Sequence, residues 1–227
     1  MAAPLVVGLF FAVALTGCSG SSSSPGAADG ASRTPSSPSA WPSIDPAGLR
    51  VLARAERGLA GTHSYSFTAD TTLAASSTLR TQLTGRVVRG QGLAYVLAVR
   101  GKRTQVVRLQ HATYVRVVPG RWSRLAHPRT LVNPTLTLLA VLRSLAPTDV
   151  SPDRRVVHGT LGPAAAHAAG LPEGARTADV TVTVDRAGHV IDAVIATSVV
   201  ASGHTVRVRL HTTYGSFDHV ARIRTPV

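Results

Sequence analysis

Residues 78–99 read TLRTQLTGRVVRGQGLAYVLAV, and the architecture follows from this stretch. Through 78–88 apolar and polar residues alternate, the two-residue period of a half-buried strand. RGQG breaks the pattern at 89–92, after which GLAYVLAV is apolar on both faces. Two strands about a glycine-containing turn predict an antiparallel hairpin. Its second strand is expected to be covered on both sides.

The same period runs outward. Upstream, SYSFTA (64–69) sets Tyr65, Phe67 and Ala69 against Ser64, Ser66 and Thr68. Downstream of a second basic turn, RGKR, come TQVVRLQ (104–110) and ATYVRVV (112–118). Strands recurring about every ten residues predict an antiparallel meander. Strands return in ADVTVTVD (178–185), HVIDAVIATSVV (189–200) and HTVRVRLHTTYG (204–215). In the last, Val206, Val208 and Leu210 share one face, with Arg207, Arg209 and His211 on the other.

Helices punctuate the meander. In DPAGLRVLARAERG, Asp45 is the expected N-cap, Pro46 opens the first turn and Gly58 is the expected stop. Leu49, Leu52, Ala53 and Leu59 would form its apolar face, with Arg50, Arg54 and Arg57 turned away. In NPTLTLLAVLRSLAP, Asn133 caps, Pro134 starts and Pro147 lies just past the end. Its apolar residues spread almost all round, so it is either buried or covers a greasy cavity. GPAAAHAAG (162–170) reads as a short third helix.

Ahead of the first helix lies a different kind of sequence. Residues 18–43 are mostly Ser, Pro, Gly and Ala, too poor in apolar side chains to fold, and read as a tether. Trp41 is its one large side chain, expected to pack on the domain edge. Leu5 to Leu15 is apolar or glycine, too short to span a bilayer and the right length for a signal-peptide core. Leu15, Thr16, Gly17 and Cys18 look like the bacterial lipobox, which implies a thioether from the Cys18 sulfur to diacylglycerol and cleavage just before it. Cys18, the single cysteine, has no disulfide partner. The alternative is an ordinary secretory signal with an incidental cysteine. The expected organisation is a signal peptide over 1–17, a tether over 18–43 and one domain over 44–227, held at the outer face of the cell membrane through Cys18.

The formal net charge is +13, from 24 Lys+Arg against 11 Asp+Glu, with Lys102 the single lysine. Such a balance often signals nucleic acid, but an export signal argues for no nucleic acid. Anionic membrane surfaces and envelope polymers are the polyanions found outside the cell. A solvated basic surface with no partner is the other reading.

In its order of elements the chain resembles the actinobacterial lipoproteins of the LppX/LprG type, which share the fold of the lipoprotein carrier LolA. Tyr114 and Trp122 match the family's Tyr…Trp stretch, and Asn133 and Pro134 match the start of the helix that follows. HGTLGPAAAHAAGLP is similar to its Gly-Thr turn and short helix, and VTVTVDRAGHVIDAVI to its later hairpin. The resemblance implies an α+β fold: a curved antiparallel β-sheet, an incomplete barrel, wrapped around a few helices. It also implies a cavity holding the acyl chains of a lipid or lipoglycan. Where the family continues the Asn-Pro helix with glycines, this chain has TLTLLAVL, so its cavity is expected to be smaller or filled by its own leucines.

Nothing in the sequence reads as an enzyme's catalytic centre. It has no G-x-S-x-G elbow, no H-E-x-x-H or H-x-x-x-H pair for a metal, no close pair of acids and no phosphate-binding loop; no cofactor is implied. His158, beside the Gly-Thr pair, is expected on a surface turn. Two functional readings remain. In the first, the domain binds and transfers an apolar ligand, with Phe67, Leu97, Tyr114, Trp122, Leu139, Leu142, Val208 and Leu210 as candidate cavity residues. Each is equally a normal core residue. In the second, the domain is a non-catalytic envelope scaffold or sensor with a filled core and a protein partner.

Overall fold

The computed structural model describes residues 43–126, 133–172, 174–201 and 203–226. The leader, Cys18, Trp41 and all of the tether but Ser43 lie outside the described residues. Among the described residues eleven strands form one antiparallel sheet: β1 (Ser64–Ala74), β2 (Thr78–Val88), β3 (Gly92–Val99), β4 (Lys102–Leu109), β5 (Thr113–Val118), β6 (Ser123–Leu125), β7 (Ala146–Val150), β8 (Val156–Leu161), β9 (Ala178–Val184), β10 (Val190–Ala201) and β11 (His204–Gly215). Their order is β6-β5-β4-β3-β2-β1-β11-β10-β9-β8-β7. The sheet is curved and unclosed, with β6 and β7 as free edges. Every neighbour is consecutive in the chain except at the centre, where β1 pairs with β11. That one long-range pairing turns two meanders into a single sheet.

The described residues also form three helices along the sheet: α1 (Pro46–Gly61), α2 (Pro134–Ser144) and α3 (Pro163–Ala168). The caps form as the sequence indicates. Asp45 Oδ1 accepts from the Ala47 N–H at 2.7 Å, and Asn133 Oδ1 from the Thr135 N–H at 3.0 Å. Gly58, expected to end α1, does not; the helix runs to Gly61. Gly58 is needed for a different reason, because a Cβ there would lie 2.3 Å from the Gly188 carbonyl oxygen. The buried stripe of α1 is Gly48, Val51, Leu52 and Ala55. Leu49 and Ala53, assigned to the apolar face, are exposed. Gly48 explains the rotation: a Cβ at this position would sit 2.5 Å from that of Pro147, so the helix seats on its glycine side.

α2 is not apolar on every buried side either. Leu138, Val141 and Leu142 are buried, Leu139 is half-buried and Leu136 is 62% exposed. Three strands were not legible: β6, only three residues long, β7, which carries Pro147 and a bulge between Pro147 and Asp149, and β8. Proline is tolerated at an edge, where its missing N–H costs no ladder bond. His158 therefore lies within β8 rather than on a turn, its Nδ1 3.0 Å from Thr181 Oγ1.

The interior divides in two. The larger cluster packs α1, α2 and α3 on β7–β11, with Val157, Leu161, Val182 and Val184 fully buried. The smaller holds Tyr65, Phe67, Leu93, Tyr95, Val106 and Val115 on the same face of β1, β3, β4 and β5. Leu59 and Tyr214 touch both. On its second side β3 is half-buried rather than fully covered: Ala94 and Val96 line an open concavity with Trp122, Ser216, His219 and Val220.

Candidate functional site

The seam between the two clusters is where the helices and the sheet part. By the strand register, Phe67, Ala69 and Thr71 of β1 lie on one face with Leu83 and Thr81 of β2 and with Leu210, Thr212 and Tyr214 of β11. Pro134 and Thr137 of α2 and residues 169–171 after α3 roof them. The space left is a narrow apolar cleft of about 70 Å³. A leucine on α2 in place of Thr137 would close much of it.

A wider concavity of about 390 Å³ adjoins it, toward the C-terminus of α1. Leu59, Tyr65, Val87, Leu93 and Leu136 give it an apolar floor, and His63, Arg89 and Arg108 stand among its walls with no acid. In the wall of the wider concavity the Tyr65 hydroxyl and Thr135 Oγ1 lie 2.6 Å apart, joining the sheet to the first turn of α2. Burial pushes the Tyr65 phenol up to about 12, against the hydrogen bond from Thr135, which lowers it. Tyr214 meets Tyr65 edge-on at 5.9 Å, and burial raises its phenol as well. Both tyrosines are therefore neutral at physiological pH. The narrow cleft is walled by aromatic, aliphatic and threonine side chains, whereas the wider concavity mixes its apolar floor with His63, Arg89, Gln91, Arg108 and Gln110; the cleft is suited to partitioning rather than to proton transfer.

Of the sequence candidates, Phe67, Val208 and Leu210 come together in the narrow cleft. Leu97 faces the same side one strand further out, opposite Leu83 and packed on the smaller cluster. Leu142 is buried in the larger cluster, and neither it nor Leu139 lines the cleft. Tyr114 and Trp122 lie across the sheet from it. Tyr114 pairs with Val107 on the outer face, and Trp122 stacks under the Arg116 guanidinium at 4.8 Å. Sequence reasoning did not single out Leu83, Thr137, Leu171 or the Tyr65–Thr135 pair. The alternation in SYSFTA puts Tyr65 and Phe67 on one face, but nothing in TLTLLAVL marks Thr137 as the cleft side of α2. Among the described residues no group of three or more His, Cys, Asp or Glu side chains is placed to hold a metal, and no helix is long and apolar enough to cross a membrane.

No protein-family profile and no curated protein sequence matches the chain. Solved structures do. LprF from Mycobacterium bovis aligns over 81% of this chain and 99% of its own at 17% identity, with a TM-score of 0.52. The lipoprotein LppX of Mycobacterium tuberculosis aligns over 79% and 100% at 14% identity, TM-score 0.46. A LolA superfamily protein from Nitrosomonas europaea aligns over 78% and 94% at 10% identity, TM-score 0.25. The score with LprF marks a shared fold; the other two are too low for that.

Proposed function

We propose that this chain is an envelope lipoprotein of the LppX/LprG type, anchored through Cys18, that takes up an acyl chain of a lipid or lipoglycan between its sheet and helices and passes it on. The observation that carries the reading is the apolar cleft at the seam, with a wider, partly polar concavity beside it whose wall holds the Tyr65–Thr135 hydrogen bond. The narrow cleft alone falls well short of the roughly 300–1,000 Å³ of ligand sites, whereas the wider concavity lies within that range. Uptake therefore requires the two to merge, with α2 moving off β1. Each methylene buried would contribute about 0.8 kcal/mol, which over a chain of ordinary length exceeds the cost of one neutral hydrogen bond.

The small volume of the cleft and the filled larger core support the second reading, a scaffold or sensory domain with a protein partner. Lipid extraction and mass spectrometry of protein from its native host separate the two. Thr137→Phe fills the cleft without adding charge, and Leu139→Phe places the same ring on α2 away from it. Wild type and Leu139→Phe should carry lipid and Thr137→Phe should not. If wild type is lipid-free, takes up none in vitro, and Thr137→Phe only lowers the melting temperature, the scaffold reading stands.

A further inference from the structure

The charge of this chain is segregated. Residues 71–148 contain no aspartate or glutamate, yet hold half of the 24 Lys+Arg; the other half is set against all 11 acids. Nearly the whole net charge of +13 therefore belongs to β2–β6 and the connections up to the end of α2.

Within that half, one end of the sheet gathers five of the nine exposed cations among the described residues. The β3–β4 turn carries Arg100; Lys102 and Arg103 begin β4, and Arg80 precedes Thr81, which pairs with Val99 at the base of the turn. Arg103 pairs with Val118, and the chain continues from there to Arg121. All five cations are exposed. The ion pairs among the described residues involve His63, Arg143, Arg155, His189 and His211, and none of these five. Among them stand two exposed apolar side chains, Val117 at 39% and Val118 at 40%.

We infer that this end of the sheet docks on an anionic lipid bilayer, the five cations meeting headgroup phosphates and the two valines entering the interface. A soluble polyanion would satisfy the charges but offers no apolar phase for the valines; a bilayer offers both. The thermodynamics do not depend on whether the cleft takes a ligand. The geometry connects the two nonetheless, because Thr71 and Thr81 line the cleft and Arg80 adjoins Thr81.

The test is sedimentation of the full chain carrying Cys18→Ala with vesicles of phosphatidylcholine alone or mixed with phosphatidylglycerol. Partition driven by the leader appears equally in both, so the difference reports the docking surface. Binding should favour the mixed vesicles and fall with added salt. Each cation removed should weaken it about fivefold, so Arg100→Gln/Lys102→Gln/Arg103→Gln should lose roughly a hundredfold. Arg50→Gln/Arg57→Gln/Arg224→Gln, the same change in charge elsewhere, should lose much less. Val117→Ser/Val118→Ser should weaken binding at unchanged net charge. Equal binding to both vesicles, equal losses in the two triple variants, or capture by polyglutamate without vesicle binding would overturn the inference. None of these outcomes alters the lipid content of the purified protein, so the two proposals fail separately.

Discussion

The hydroxyls of Tyr65 on β1 and Thr135 on α2 share a hydrogen bond of 2.6 Å, the one side-chain hydrogen bond described between α2 and the smaller core cluster. Whatever opens the seam must break it. Tyr65→Phe keeps the ring and its edge contact with Tyr214 but removes the bond, at a cost of about 0.5–1.5 kcal/mol. Uptake of a fluorescent fatty acid should become faster in this variant, while chemical denaturation shows only that small loss. Slower or unchanged uptake would mean that the bond does not gate the seam.

Alkaline pH should reach the same region. Burial holds the Tyr65 and Tyr95 phenols at about 12, above their ordinary 10.0. Below pH 10 folded and unfolded chains are both protonated there, and the stabilisation is fully present. Between about pH 10 and 12 the unfolded chain loses protons that the folded chain keeps, so stability falls as pH rises, on the order of 2–3 kcal/mol per tyrosine. Urea midpoints measured across that window should drop steeply in wild type and less steeply in Tyr65→Phe.

Gly58→Ala gives a prediction opposite in sign to helix propensity. In the interior of a helix alanine is favoured over glycine by about 1 kcal/mol. Here the new Cβ would meet the backbone of Gly188 at 2.3 Å, and backbone cannot rotate aside as a side chain can. We expect a net loss of about 1–3 kcal/mol, seen as a lower melting temperature. A rise would show that the β9–β10 turn yields freely.

Cys18→Ala should release the protein from the membrane fraction into the medium or leave uncleaved precursor, because two acyl chains hold a protein stably where one is marginal. Fractionation followed by immunoblotting reads this directly. Wild type recovered mainly as unmodified soluble protein would remove the anchor from the proposal.

Where local pattern decides, the sequence was legible. β2 and β11 coincide with their alternating stretches and β3 with its apolar run, and the Asp45 and Asn133 caps form as their side chains require. β8 was hidden by Gly159, whose absent side chain breaks the alternation. A Cβ there would lie 2.3 Å from the Ala146 carbonyl, so glycine is what permits the β7 pairing. The candidate cleft was half legible: β11 showed its inward side chains through alternation. Thr137 did not stand out on a helix greasy nearly all round, and neither the rotation of α1 nor the β1–β11 pairing has any local signature. Tyr114 falls on the outer face because β5 alternates like the others, and Trp122, in the connection to β6, lies under Arg116 of the same strand; the family resemblance alone reveals neither.

The pairing of β1 with β11 has a kinetic consequence. Phe67 and Tyr214 are partners across the middle of the sheet, so the chain cannot complete its centre until its last strand has been made. Until then one edge of β1 is open, with the apolar face of its meander uncovered. Contacts this distant in sequence form slowly, and unpaired edges invite association between chains. A chain delivered N-terminus first must wait for its C-terminus, and truncation before His204 would leave two meanders without a seam.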